Sequence, residues 1–135
     1  MVPISSNKPK SIKPKVIDVS PEEFVQLSEP PRLIDVRSRL EYILFRASDA
    51  INLSLPRVLM VRVPILRNWL LPEWFLALPK DEPIAVICLT AHRSPIVAQQ
   101  LIKAGFTRVF NITGGMMAWQ RGGLPMHKGH FDRSL

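Results

Sequence analysis

Five short runs of mainly apolar residues alternate along the chain with stretches in which apolar positions recur at helical spacing. The runs lie at 16–19, 33–36, 50–53, 84–87 and 109–112. Strands that alternate with helices need crossover connections, which make the strands parallel and place the helices on the faces of the sheet. The pattern therefore predicts an α/β fold whose mostly parallel sheet is covered by helices on both faces.

Local signals predict where several helices begin. Two capping boxes are present, Ser20 with Glu23 and Ser38 with Glu41, and each predicts a helix that starts just after its serine. The dipeptide at 94–95, Ser-Pro, predicts the start of a longer helix, because proline is well tolerated in the first turn.

The chain divides into one domain and two short flanking segments. Its 135 residues have the size of a single domain, and a hydrophobic fraction of 47% is enough for a buried core. Residues 1–15 combine prolines, serines and lysines without periodicity and are interpreted as a flexible basic arm. Residues 16–126 form the predicted domain, and residues 127–135 are expected to be a loosely ordered tail.

The net charge of +7 comes mostly from the arm. Four lysines precede Asp18, the first acidic residue, and the chain without them has 14 basic residues and 11 acidic ones. A basic arm can touch nucleic acid or an anionic membrane, but no aromatic residues are interleaved with these lysines. We therefore expect a solvated tail and no nucleic-acid partner.

The apolar region at 53–78 does not have the sequence of a membrane span. Four charged residues and three prolines interrupt it, and the prolines also divide its helical pattern into short helices. No secretory signal is recognisable, and a single cysteine fits a reducing compartment, so a cytoplasmic location is expected. Segment 58–78, with Trp69, Trp74 and Phe75, has two interpretations: it covers the sheet, or it is a peripheral docking surface for a membrane or a protein.

Cys88 is the only cysteine and directly follows the apolar run 84–87. Ligands of parallel sheets bind beyond the carboxyl ends of the strands, so chemistry is expected at this edge. A lone cysteine at a strand end is often an inert core residue. Here Arg93 adds a permanent positive charge and the helix start at Ser94 places N–H groups nearby, which favours a reactive thiolate. A loop whose amides face one sulfur forms an anion-binding nest.

The stretch Cys88–Ser94 contains a cysteine, four further residues, an arginine and a serine, and it resembles the active-site loop of rhodanese-family sulfurtransferases. Other stretches, in the same order along the chain, are similar to motifs of that family: Leu33–Arg37, Glu41-Tyr42, Ala50–Asn52, Pro56, Ala104–Phe106, Gly114–Trp119 and Gly123–Pro125. The resemblance covers residues 16–126 and implies a rhodanese-like α/β fold with a five-stranded parallel sheet.

The resemblance also implies sulfur transfer. Cys88 would be the catalytic nucleophile, which takes a sulfane sulfur from a donor, holds it as a persulfide and passes it to a thiophilic acceptor. The remaining loop residues would bind the substrate and the charged sulfur, largely through backbone N–H groups: Leu89, Thr90, Ala91, His92, Arg93 and Ser94. The implied partners are small-molecule or protein donors and acceptors of sulfur, and no cofactor is implied.

Two loop residues depart from the family pattern. Ala91 stands where the family commonly has glycine, and Leu89 stands where members that favour thiosulfate often carry a cation. Because that cation is missing, we expect thiosulfate to be a poorer donor than a persulfide.

Two other functions remain as alternatives. Related phosphatases and arsenate reductases carry five residues between the cysteine and the arginine, which makes a ring wide enough for a tetrahedral oxyanion, whereas this chain has four. The second alternative is a non-catalytic rhodanese-like interaction or regulatory module that docks through segment 58–78.

The sequence also predicts where several other charged residues and two histidines lie in the fold. Asp35 and Arg37 are expected to be structural partners that brace loops near the active edge. Arg46 is expected either at the mouth of the site or on the surface. His127 and His130 are the only paired histidines and stand in a glycine-containing tail without further ligands, so no metal site is expected.

Overall fold

The computed structural model describes residues 13–90 and 92–129. Its strands are β1 (Lys15–Val19), β2 (Arg32–Asp35), β3 (Arg46–Ala47), β4 (Ile51–Asn52), β5 (Ile84–Ile87), β6 (Arg108–Ile112) and β7 (Met126–His127). Its helices are α1 (Pro21–Val25), α2 (Arg39–Leu44), α3 (Leu55–Leu59), α4 (Pro64–Leu70), α5 (Glu73–Leu76), α6 (Ser94–Lys103) and α7 (Gly115–Arg121), with a 3₁₀ turn at Met60–Arg62. The predictions for residues 1–12, for Ala91 and for residues 130–135, which include His130 and most of the expected tail, fall outside the described residues.

Five strands form one sheet in the order β1-β6-β5-β2-β4, and every neighbouring pair is parallel. These are the five strands predicted from the apolar runs, so the predicted α/β fold is confirmed. The chain leaves β2 toward β4 and leaves β5 toward β6, in opposite directions along the sheet. The crevice between the carboxyl ends of β2 and β5 is therefore the topological switch point, where open parallel sheets bind ligands.

Both predicted capping boxes are confirmed at the starts of α1 and α2. Ser20 Oγ accepts from the N–H of Glu23 at 3.0 Å, and Glu23 Oε1 accepts from the N–H of Ser20 at 2.8 Å. The corresponding distances for Ser38 and Glu41 are 3.2 Å and 2.9 Å. Each box satisfies two of the backbone donors that a helix start leaves unpaired.

Apolar side chains cover both faces of the sheet, as the strand pattern predicts. On one face α3, α5 and α6 contribute buried residues, among them Val58, Phe75, Val97 and Leu101. On the other face α1, α2 and α7 contribute Phe24, Tyr42, Met116 and Trp119. Strands that are buried on both faces cannot shift register without exposing apolar side chains, which fixes the carboxyl ends of β2 and β5 relative to one another.

The segment between β4 and β5 forms short helices, as its prolines predict. Some of its residues are buried against the sheet and others are exposed to solvent. Val58, Leu71 and Phe75 are buried against the sheet, which confirms that this segment covers the sheet. In contrast, α4 contains no buried residue, and Ile65 and Trp69 on it are 85% and 81% exposed. Docking through this helix stays a prediction. Among the described residues, no helix has the length and hydropathy needed to cross a bilayer.

A second, two-stranded sheet differs from the sequence-based expectation. Strands β3 and β7 pair antiparallel, with Arg46 opposite His127, so the segment expected to be a loose tail begins with a paired residue. Arg46 was expected at the mouth of the site or on the surface, but its side chain is buried. Its guanidinium donates to the carbonyl oxygens of Gly129 at 2.6 Å and Tyr42 at 3.3 Å and stacks over the Tyr42 ring. The hydrogen bond to Gly129 therefore attaches this side chain to the segment that follows β7.

Candidate active site

Cys88 lies directly after β5, at the switch point between β2 and β5. The N–H of Val36 donates to the carbonyl of Ile87 at 3.0 Å, so the pairing of the two strands continues to the residue before the cysteine. The Cys88 side chain is fully buried. The strand pairing therefore holds the thiol at the base of the crevice.

Ser94 contacts the sulfur of Cys88 through both its backbone and its side chain. Its N–H donates to Sγ at 3.4 Å, and the thiol S–H donates to Ser94 Oγ at 3.4 Å. Ser94 is the first residue of α6, so this N–H is one of the donors that a helix start leaves without an intrahelical partner. That N–H and the positive end of the helix dipole both stabilise negative charge on the sulfur.

The start of α7 turns the backbone of the cysteine loop. The N–H of Met116 donates to the carbonyl of Cys88 at 2.7 Å, and the N–H of Met117 donates to the carbonyl of Leu89 at 3.0 Å. The carbonyl and N–H of a trans peptide point in opposite directions. Because both carbonyls face α7, the N–H groups of Leu89 and Thr90 point away from that helix. This orientation is compatible with the anion-binding nest predicted for the loop.

Gly115 allows α7 to approach the loop this closely. It has φ of 57°, in the left-handed region that favours glycine. A Cβ at this position would lie 2.5 Å from the carbonyl oxygens of both Cys88 and Leu89. Only a residue without a side chain fits between the helix and the loop.

Arg93 extends from the cysteine loop to α2 and forms a bidentate ion pair with Glu41. Its two terminal nitrogens lie 3.0 Å and 3.1 Å from the two carboxylate oxygens. The hydrogen bond from Arg93 is the main reason why the pKa of Glu41 is lowered from 4.5 to about 2, and the same bond raises the pKa of Arg93. In this arrangement the guanidinium braces the loop against α2. Its predicted role in substrate binding stays a prediction.

The other predicted loop residues differ in exposure. Leu89 is half-buried, whereas Thr90 and His92 are exposed to solvent, and Ala91 is outside the described residues. Thus the structure brings Ser94 to the sulfur, directs Arg93 to α2, and leaves Thr90 and His92 at the entrance to the loop.

A sequence model of the rhodanese-like domain matches residues 12–122, which is most of the chain. The chain belongs to the rhodanese-like domain family. Curated relatives include a sulfurtransferase of Allochromatium vinosum, 29% identical over 73% of this chain and 80% of its own length. A thiosulfate sulfurtransferase GlpE of Actinobacillus pleuropneumoniae is 29% identical over 81% of this chain and 91% of its own length.

Solved structures agree with the rhodanese-like fold. A rhodanese-related protein from Thermoplasma volcanium superposes with a TM-score of 0.64 at 22% identity and covers 82% of this chain and 97% of its own. A thiosulfate sulfurtransferase from Pseudomonas aeruginosa has a TM-score of 0.63 at 20% identity, and the match covers 85% of this chain but only 21% of that one. At these identities the similarity concerns the fold, and it confirms the five-stranded parallel sheet with helices on both faces.

Next to the cysteine loop of this rhodanese-like domain, Asp35 and Arg37 form the predicted structural pair. Both side chains are fully buried, and Arg37 Nη2 lies 2.8 Å from Asp35 Oδ2. Arg37 Nη2 also donates to the carbonyl oxygen of Phe45, and its Nε donates to both carboxylate oxygens of Asp35. The pair therefore joins the end of β2 to the end of α2.

Two polar residues that are linked to Ser94 by hydrogen bonds were not predicted from the sequence. Asn111, buried on β6, accepts a hydrogen bond from Ser94 Oγ at 2.5 Å and donates to Asp18 Oδ1 at 3.1 Å. The available signal was one amide in the otherwise apolar run Val109–Ile112. A buried polar side chain in such a run needs a hydrogen-bond partner, which marks it as part of a polar network.

An open groove of about 520 Å³ lies elsewhere, near the amino ends of β2 and β4. Phe24, Arg32 and Asp49 are among its lining residues, and it shares none with the cysteine loop. Cys88 therefore lies at the opposite edge of the sheet from this groove. Across residues 13–90 and 92–129, no three His, Cys, Asp or Glu side chains are grouped closely enough to hold a metal ion.

Proposed function

We propose that this rhodanese-like protein is a sulfurtransferase that carries sulfane sulfur as a persulfide on Cys88. The observation that carries the proposal is the position of this thiol at the switch point, where the first N–H of α6 donates to the sulfur and α7 holds the carbonyls of the cysteine loop. Family membership and relatives named sulfurtransferases support the same reaction class.

The proposed reaction has two half-reactions. The Cys88 thiolate attacks the outer sulfur of the donor, a sulfur–sulfur bond forms, and the donor's own sulfur–sulfur bond breaks. The leaving group departs with the electron pair, as a thiolate from a persulfide or as sulfite from thiosulfate. A thiolate acceptor then attacks the outer sulfur of the Cys88 persulfide, and Cys88 leaves as the thiolate. One covalent intermediate between two half-reactions leads to ping-pong kinetics.

The charge arrangement supports a persulfide as the better donor. Thiosulfate is a compact dianion and needs a free cation beside the sulfur. Arg93, the cation of the loop, is paired with Glu41, and the residue directly after the cysteine is the uncharged Leu89. A persulfide donor carries less charge, which backbone N–H groups can stabilise.

Persulfide formation on Cys88 is the decisive test. The wild type and Cys88→Ser are incubated with thiosulfate, a low-molecular-weight persulfide or a persulfidated carrier protein, and intact mass is measured. We expect a gain of about 32 Da in the wild type alone, fastest with a persulfide donor. Sulfur transfer that persists in Cys88→Ser contradicts the mechanism. Absence of the adduct with every donor supports the interaction-module alternative, and faster loading from thiosulfate contradicts the assigned donor class.

A further inference from the structure

A chain of hydrogen bonds leads from the Cys88 sulfur through the protein to its surface. Ser94 Oγ lies 3.4 Å from Cys88 Sγ and 2.5 Å from Asn111 Oδ1, and Asn111 Nδ2 lies 3.1 Å from Asp18 Oδ1. The first three residues are buried, whereas Asp18 is exposed on β1. The chain thus crosses β6 and ends at a solvated carboxylate.

The chemistry of the groups fixes the direction of these hydrogen bonds. An ionised carboxylate can only accept, so the amide nitrogen of Asn111 faces Asp18 and its carbonyl oxygen faces Ser94. That carbonyl oxygen also can only accept, so Ser94 donates its single hydroxyl proton to Asn111. Toward Cys88, Ser94 Oγ then presents lone pairs. It forms a hydrogen bond with the protonated thiol and repels a thiolate.

We propose that Asn111, oriented by Asp18, is a positioning residue that directs the Ser94 hydroxyl proton away from Cys88 and so disfavours negative charge on Sγ. In the empty protein this arrangement offsets part of the stabilisation that the Ser94 N–H and the helix dipole give to the thiolate, which protects the cysteine from alkylation and oxidation. In the loaded protein Sγ carries no charge and the charge lies on the outer sulfur, so the same arrangement opposes the persulfide less than it opposes the free thiolate. This last consequence rests on the proposed sulfurtransferase function.

Two pairs of oppositely charged side chains lie at this edge, and the test variants leave both in place. On β2 and its following loop Asp35 pairs with Arg37, and across the cysteine loop Glu41 on α2 pairs with Arg93. His92, on the loop itself, is exposed. A change in Cys88 reactivity that depends on Ser94 can therefore be assigned to the Asn111 chain.

The test measures the rate of Cys88 alkylation by iodoacetamide between pH 5 and 10, which yields the thiol pKa. It compares the wild type with Asn111→Leu, Ser94→Ala and the double variant. Leucine has nearly the shape of asparagine but cannot accept a proton from Ser94. We expect Asn111→Leu to lower the thiol pKa and to speed alkylation at neutral pH about tenfold, the effect of one charge-assisted hydrogen bond to the sulfur.

The double variant separates positioning from general disturbance of the fold. In the Ser94→Ala background, Asn111→Leu should leave the alkylation profile unchanged, because no hydroxyl remains to be redirected. An equal shift with and without Ser94, or no shift in the single variant, overturns the proposal. Thr113→Val is the matched control: it removes a hydrogen bond from the end of β6 to β1, Thr113 Oγ1 to Val19 O at 3.3 Å, without touching Ser94. It should not change the profile.

If Asn111→Leu does not fold, the exposed end of the chain provides the same test. Asp18→Ala removes the anchor and lets the Asn111 amide rotate, so alkylation at neutral pH should rise about threefold, and only when Ser94 is present. An unchanged profile overturns the proposal. Alkylation needs no sulfur donor, so this outcome is independent of persulfide formation. Failure to load sulfur contradicts the proposed function, and an unaltered alkylation profile contradicts the role of Asn111.

Discussion

Arg93 and Glu41 connect the cysteine loop to α2 through a carboxylate that has two tasks. Glu41 Oε1 accepts from the N–H of Ser38 in the capping box and from Arg93 Nη1, at 2.9 Å and 3.0 Å. The start of α2 and the orientation of the loop therefore depend on the same side chain. The family motif implies that Arg93 binds substrate. In this structure Arg93 is instead bound by the carboxylate of Glu41.

The two capping boxes allow the contribution of this ion pair to be measured. Glu23→Gln and Glu41→Gln make the same change in equivalent boxes, but only Glu41 has an arginine partner. Because the pair is about one-third exposed, we expect Glu41→Gln to lower the free energy of unfolding by only about 0.5–1 kcal/mol more than Glu23→Gln at pH 7. Urea unfolding at pH 7 measures this difference. Equal costs in the two variants would show that the pair contributes nothing.

The same pair predicts how stability depends on pH. The pKa of Glu41 is lowered in the folded protein from 4.5 to about 2, so the unfolded chain takes up the proton first as the pH falls. The contribution of the pair is therefore fully present above pH 4.5 and is lost as the pH falls toward 2. The difference in unfolding free energy between Glu41→Gln and Glu23→Gln should shrink over this range, measured by urea unfolding at several pH values. A difference that is constant down to pH 2 would contradict the assignment.

Arg37 is expected to matter for folding more than for chemistry. Arg37→Leu leaves the fully buried carboxylate of Asp35 without its counter-ion, which typically costs about 3–5 kcal/mol. Arg32→Leu is the control, because its ion pair with Glu82 is longer, at 3.6 Å, and partly exposed, so the cost should be about 1 kcal/mol or less. Thermal and urea unfolding measure both costs. Similar costs for the two variants would show that the buried pair is not the stabilising element inferred here.

The sequence predicted local features well and long-range side-chain contacts poorly. The strands, the capping boxes and the place of Cys88 depend on neighbouring residues, so short-range patterns were sufficient. The direction of Arg93 depends on a partner 52 positions away, and the link from Asn111 to Asp18 joins residues 93 positions apart. Arg46 was misplaced for the same reason, because its guanidinium donates to the carbonyl oxygen of Gly129, 83 positions further along the chain. Such contacts follow from topology, which no local pattern specifies.

The exposed face of α4 should contribute little to stability. Trp69 is 81% exposed, so Trp69→Ser removes almost no buried surface, and the Tm should change by no more than about 2 °C. Trp119→Ser is the matched control: Trp119 is 2% exposed and packs against Phe24, so the same change should cost about 3–5 kcal/mol. A large loss of stability in Trp69→Ser would show that α4 packs against the domain, leaving no free face for docking.

Alanine substitutions at Gly115 and Gly123 distinguish two effects. One is the loss of stability from a left-handed backbone, and the other is the steric clash with the cysteine loop. Both glycines have positive φ, 57° and 69°, so alanine should destabilise the protein by about 1–2 kcal/mol at either position.

A Cβ at Gly123 meets nothing within 4 Å, whereas one at Gly115 would lie 2.5 Å from the carbonyl oxygens of Cys88 and Leu89. Gly115→Ala must therefore push α7 and the loop apart and disturb the geometry of the cysteine loop around the sulfur. We expect its kcat/KM for sulfur transfer to fall at least about tenfold, the loss of one charge-assisted hydrogen bond, with Gly123→Ala close to the wild type. Equal activity in the two folded variants would show that the contact between α7 and the loop does not hold the site in its working geometry.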